Sequence, residues 1–80
     1  MFYNMYNIDE VRSYLTNVFS CVTFEYNGRC CGVDPFPGKY VMWYGTNDIT
    51  VDSIEKVFDT KLFDGKSLKE IWDNVIDLDY

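Results

Sequence analysis

Three cysteines, Cys21, Cys30 and Cys31, are the side chains with the widest chemical range, and the chain has no histidine. A structural zinc site needs four converging ligands, usually in C-x2-4-C pairs or with histidines. The sequence offers neither. Asn27-Gly28 follows a run of β-branched and aromatic residues and reads as a two-residue hairpin, because a type I′ turn needs positive φ at both central positions. That turn sets a register: Tyr26 opposite Arg29, Glu25 opposite Cys30, Phe24 opposite Cys31, Thr23 opposite Gly32, Val22 opposite Val33. Neighbouring strand residues point to opposite faces, so Cys30 and Cys31 cannot hold one ion between them. Cys21 shares the face of Cys30 but lies about 13 Å from it along the strand, at roughly 3.3 Å per residue. A disulfide needs Cα atoms within about 7 Å. The expectation is no metal and no intramolecular disulfide, with Cys31 a small core residue.

Other catalytic constellations fare no better. A nucleophilic cysteine or a hydrolase triad has no histidine to serve as base. Carboxylates are plentiful, so residue type alone leaves a paired-carboxylate enzyme open as a third reading. Asp9, Glu10 and Glu70 already have roles at helix starts, and only Glu25, in mid-strand opposite the core face, is placed oddly. No calcium loop of the form D-x-[DN]-x-[DN]-G occurs, and "GTNDIT" lacks the spacing of a phosphate-binding loop. The expectation is therefore a non-enzymatic protein with no catalytic residue, cofactor or metal.

The elements that position these residues can be read along the chain. Asn7 and Glu10 make a helix start, and Ile8, Val11, Leu15, Val18 and Phe19 recur at helical spacing, which predicts a helix over 8–19. The Asn27-Gly28 hairpin follows, with Val22, Phe24, Tyr26, Cys31 and Val33 on the core face and Cys21, Thr23, Glu25 and Cys30 on the other. "DPFPG" connects to a third strand, "KYVMWY", which is apolar on both faces, so alternation does not say which face is inside. Thr50 reads as the cap of a second helix with a stripe of Val51, Ile54, Val57 and Phe58. Ser67 and Glu70 form a capping box for a third helix burying Leu68, Ile71, Trp72 and Val75, with "DLDY" as a fraying end. The expected fold is one α+β domain over 1–80: an N-terminal helix, a three-stranded antiparallel sheet, then two C-terminal helices packed on the sheet.

Thirteen acidic residues against seven basic give a net charge of −6. That balance argues against direct binding to nucleic acid or an anionic membrane, both of which need a basic surface. No apolar run approaches the roughly 20 residues of a membrane span. The first ten residues lack the basic region and apolar core of a secretory signal. With an odd cysteine count, the expected location is the cytoplasm.

Seven tyrosines, six phenylalanines and two tryptophans are more than a three-stranded sheet with helices on one face can bury. The outward face of "KYVMWY" must show aromatic side chains, and exposed aromatics near an arginine are typical of interfaces. Arg29, Tyr40, Trp43 and Tyr44 are accordingly the candidate interaction surface. The bland alternative is that a helix or the "DPFPG" loop covers that face.

"VTFEYNGRCCGVDPF", "MWYG" and "FDGKSLKEIWD", in that order, resemble segments of short acidic proteins of Firmicutes and their phages and mobile elements. The resemblance covers most of the chain after Val22 and carries no activity and no site residues. It implies a bacterial cytoplasmic setting. Together these features suggest an interaction or regulatory module that binds an unknown protein partner or a second copy of itself through an aromatic sheet face. The alternative is an acidic nucleic-acid mimic that inhibits a host DNA- or RNA-binding enzyme through its acidic helices.

Overall fold

Asn7 caps the first helix, α1 (Ile8–Ser13), by accepting the Glu10 amide on its side-chain oxygen at 3.0 Å. The computed structural model describes residues 7–18 and 20–79. The periodic stripe predicts one helix to Phe19. Instead α1 widens into a π-helical turn, Tyr14–Val18, in which the Thr16 hydroxyl donates back to the carbonyls of Arg12 and Ser13 at 3.0 and 3.2 Å. Such back-bonding competes with the regular helical ladder. Val11 and Leu15 point into the core; Phe19 lies outside the described residues.

A meander of four antiparallel strands follows: β1 (Val22–Tyr26), β2 (Arg29–Phe36), β3 (Lys39–Tyr44) and β4 (Asn47–Val51). Asn27 (φ 54) and Gly28 (φ 75) make the β1–β2 turn, and all five β1–β2 pairs fall in the register that the Asn-Gly signal predicts. The "DP" of "DPFPG" is not a connector. β2 continues to Phe36, and only Pro37 and Gly38 turn the chain into β3. Pro35 sits where β2 has run past β1, so it occupies an edge, where a strand tolerates proline.

The sheet has five strands, in the order β4-β3-β2-β1-β5, and this corrects the three-stranded expectation. Asn47–Val51 reads as loop and helix cap, but it pairs with the whole of Tyr40–Tyr44. Thr50 is therefore a strand residue. The true cap of the second helix, α2 (Ile54–Asp59), is Ser53, whose hydroxyl accepts the Lys56 amide at 3.3 Å. The third helix, α3 (Leu68–Ile71), starts at the expected capping box of Ser67 and Glu70 but lasts only four residues. One 3-10 turn (Trp72–Asn74) carries it to Val75, which is extended, and Ile76–Asp79 forms β5. The expected fraying end is thus an edge strand beside β1. Its pairing steps from Thr23↔Asp79 to Glu25↔Ile76, leaving one extra residue, with Asp77 at φ 55. This is a β-bulge with its first residue in the left-handed region, and it turns Leu78 towards the core while Ile76 faces the other way.

All three helices pack on one face. Val11, Leu15, Val57, Phe58, Leu68 and Ile71 form a single cluster with Val22, Phe24, Cys31, Val33, Met42 and Tyr44 of the sheet. Among the described residues no helix is long and apolar enough to cross a membrane.

At the surface of this helical layer, Glu70 accepts the Ser67 amide at 3.0 Å and forms an ion pair with Lys61. The Lys61 hydrogen bond, more than the Ser67 amide, lowers its carboxyl from 4.5 to about 2. A carboxyl lowered on folding adds stability above its unfolded value and loses it as pH falls through the folded one. Glu70 should therefore contribute to the loss of stability between pH 4.5 and about 2. In urea titrations across that window, Glu70→Gln is expected to flatten the decline; an unchanged acid limb would show that the pair contributes nothing.

Candidate functional site

The register decides which side of "KYVMWY" is inside. Met42 (0% exposed) and Tyr44 (2%) are core, and Tyr40 packs against the core cluster. Val41 and Trp43 point to the opposite, outer face, half-buried and outside that cluster. The four candidate interaction residues are therefore divided. Tyr40, Tyr44 and Arg29 lie on the helix side, and Trp43 alone is on the outer side.

On the helix side, Arg29 and Tyr44 belong to a polar knot at one end of the core. Asp64 (φ 55) and Gly65 (φ 79) form a second tight turn, closed by paired Phe63–Lys66 backbone hydrogen bonds of 2.9 and 3.1 Å. The Asp64 carboxylate accepts from the Asn27 amide at 2.7 Å and from the Tyr44 hydroxyl at 2.6 Å, so one tight turn is tied to the other. The Arg29 guanidinium lies 5.2 Å from the centre of the Tyr44 ring. The Tyr44 hydrogen bond, then that of Asn27, holds the Asp64 carboxyl below its ordinary value, and Asp64 holds the Tyr44 hydroxyl above its own. Both shifts favour the same state, a carboxylate held by a protonated phenol. A pair locked in this form does not exchange protons near neutral pH, so its role is to fasten the turns.

The cysteines separate as the register requires, and all three are free thiols. Cys31 is wholly buried, and burial pushes its thiol up to about 11. Cys21 is also raised, first by burial and then by the charges of Asp34 and Asp79, which places both carboxylates near it. Neither is an activated nucleophile, which requires a lowered value. Among the described residues no three His, Cys, Asp or Glu side chains converge as a metal site.

The outer face is the side of the sheet opposite the helical layer. Its central row runs Asp79, Thr23, Gly32, Trp43, Asp48 across all five strands. The benzene half of the indole lies on the Gly32 backbone: a Cβ built there would meet Trp43 Cζ2 at 2.2 Å and Cη2 at 2.5 Å. Only glycine permits this approach, so Gly32 is what lets the ring lie against the sheet. Glu25 and Cys30 form the next row towards the Asn27-Gly28 turn, and Asp34, Val41 and Thr50 the next row away from it. Beside Glu25, the bulge leaves a depression of about 230 Å³ lined by Thr23, Phe24, Glu25, Cys30 and Asp77.

The sequence groups Trp43 with Arg29, Tyr40 and Tyr44, but the structure sets it on the opposite face, beside Gly32 and Asp48. Gly32, Asp34 and Asp48 were the available signal. A glycine directly across from a tryptophan marks a close approach, and Asp48 becomes visible on the face only once Asn47–Val51 is read as a strand. No family model matches this chain, and neither a curated protein nor a solved structure does.

Proposed function

We propose that the protein is a non-enzymatic interaction module that docks another protein on the outer face of its sheet, with Trp43 at the centre. The observation that carries this reading is the placement of Trp43. A large aromatic ring is spread over Gly32 on a face that shares no member with the core cluster holding the helices. Aromatic side chains set in a rigid sheet lose little entropy on binding and dominate interface energetics.

The charges favour a different chain over a second copy. Asp34, Asp48, Glu25 and Asp79 all lie on this face or at its border, and none has an ion-pair partner among the described residues. A twofold dimer through the same face would set carboxylates against carboxylates, which costs free energy. Around α2 and α3, by contrast, Lys56 pairs with Asp52 and Lys61 with Glu70, so the acidity there is partly compensated.

The test is affinity capture from cells of the source organism alongside sedimentation of the purified protein. Capture should give a partner that Trp43→Ala and Gly32→Ala both lose and that Lys69→Ala, on the helix side, retains. Gly32→Ala is the more telling variant, because it leaves the tryptophan in the chain and displaces its ring. A Trp43→Ala protein that keeps every partner would overturn the reading.

A further inference from the structure

The outer face also indicates the chemistry of what it binds, on the premise that it is the docking face. We infer that its partner presents an arginine-bearing extended segment, with a guanidinium stacked on the Trp43 indole and held between the carboxylates of Asp48 and Asp34.

The placement supports each part. One side of the indole is occupied by the Gly32 backbone, and Trp43 as a whole is half-buried. Asp48 is the direct cross-strand neighbour of Trp43 on β4. Asp34 is two residues from Gly32 on the neighbouring strand, opposite Val41. Directly opposed side chains in a sheet have Cβ atoms about 5 Å apart, and diagonal ones about 7–8 Å, so the register makes both aspartates neighbours of Trp43 on this face. A tryptophan face attracts a cation through its quadrupole. Arginine suits this arrangement better than lysine, because a planar guanidinium can stack on the ring while its edge donates to a carboxylate.

The chain's own cations do not meet the need. Arg12 lies over Phe58 at 4.6 Å and Arg29 over Tyr44 at 5.2 Å, both on the helix side. Lys39 is at the far end of the outer face, with its ammonium 5.6 Å from the centre of the Phe36 ring. Among the described residues the face therefore presents an aromatic plane and several carboxylates with one cation at its margin. That is the complement of a basic segment. Glu25 and Asp79 extend the same sign of charge across β1 and β5, so a segment crossing the strands meets acidic residues along its way.

The probe is a short peptide alternating arginine and serine, titrated into the full chain labelled with nitrogen-15. Its neutral control carries citrulline in place of arginine. The Trp43 indole N–H signal, assigned by its loss in Trp43→Phe, should shift saturably with the arginine peptide and stay still with the citrulline one. A double Asp34→Asn, Asp48→Asn variant, which removes charge from exposed or half-exposed positions and should keep a dispersed spectrum, is expected to bind roughly tenfold more weakly. Raising salt from about 50 to about 300 mM should weaken the wild-type interaction several-fold.

Three results would each overturn the inference: shifts confined to the helices, equal binding of the citrulline peptide, or unchanged affinity in the double variant. Equal binding of a lysine–serine peptide would overturn the arginine assignment. If the arginine peptide leaves Trp43 still while Trp43→Ala loses its captured partner, the partner chemistry is wrong and the docking face stands. If Trp43→Ala keeps every partner, the face itself is wrong.

Discussion

Replacing Phe63 with alanine is expected to lower folding stability by about 3–5 kcal/mol, the usual cost of emptying a buried phenylalanine site. Phe63 is 0% exposed and is ringed by other aromatics: Tyr44, Phe24 and Tyr26 have their ring centres 5.7, 5.9 and 6.5 Å away. Those rings come from two strands, β1 and β3, so no small movement of one element can fill the space. The cavity would also sit beneath the Asp64-Gly65 turn, whose carboxylate ties Asn27 and Tyr44 together. A domain of this length has a total stability of about 4–12 kcal/mol at roughly 0.05–0.15 kcal/mol per residue. The variant should therefore be largely unfolded at 37 °C if the total is near the lower end. Urea unfolding measures it, with Phe36→Ala as control. Phe36 is 39% exposed, and its loss should cost no more than about 0.5 kcal/mol. Equal midpoints for the two variants would show that Phe63 is not the centre of this core.

The hairpin and the caps at Asn7 and Ser67 are legible in the sequence because their causes are local. Asn27-Gly28 specifies a turn by backbone sterics alone, and the turn then fixes every β1–β2 pair. Ser67 and Glu70 satisfy each other's amides within one turn of helix. The two edge strands were not legible, because their signals compete with a stronger local one. Val51 is buried as expected, but its spacing to Ile54, Val57 and Phe58 also fits a helical stripe, and that disguises the alternation of Asn47, Ile49 and Val51. Likewise Leu68, Ile71, Trp72 and Val75 are all buried, yet only the first two lie in α3. Periodicity marked the burial correctly and did not mark where the helix stops.

The same two edge strands complete the outer face. Without β4, Asp48 has no place beside Trp43, and without β5, Asp79 has none beside Thr23. Trp43 enters the candidate set through the two-faced apolar pattern of "KYVMWY" and its aromatic type. Its separation from Tyr40 and Tyr44 follows from period-two alternation, but choosing the inner set required knowing that Met42 faces Val33 across β2 and β3. Tertiary packing supplied that choice. In a strand apolar on both faces, no local rule can.

The second large effect concerns β5. Ile76→Ala is expected to cost about 2–5 kcal/mol, as buried isoleucines do when truncated. Ile76 is 8% exposed and stands opposite Glu25 on the outer side of the sheet. A tail that merely frayed would tolerate the change to within about 0.5 kcal/mol, the usual range for surface substitutions. Urea unfolding of the full-length variant separates these outcomes. Amide exchange gives a second readout, since β5 pairing requires slow exchange within Thr23–Glu25 and Ile76–Asp79 that speeds up together in the variant. The bulge makes the effect local in one respect. With Asp77 at φ 55 and two residues set against one, β5 cannot slide along β1 to a new register without giving up the inward packing of Leu78. The chain therefore has no cheap alternative pairing. Loss of Ile76 should release β5 as a unit and expose β1 beside Glu25. The central row of the outer face would then lose Asp79 while Trp43, three strands away, keeps its place on Gly32.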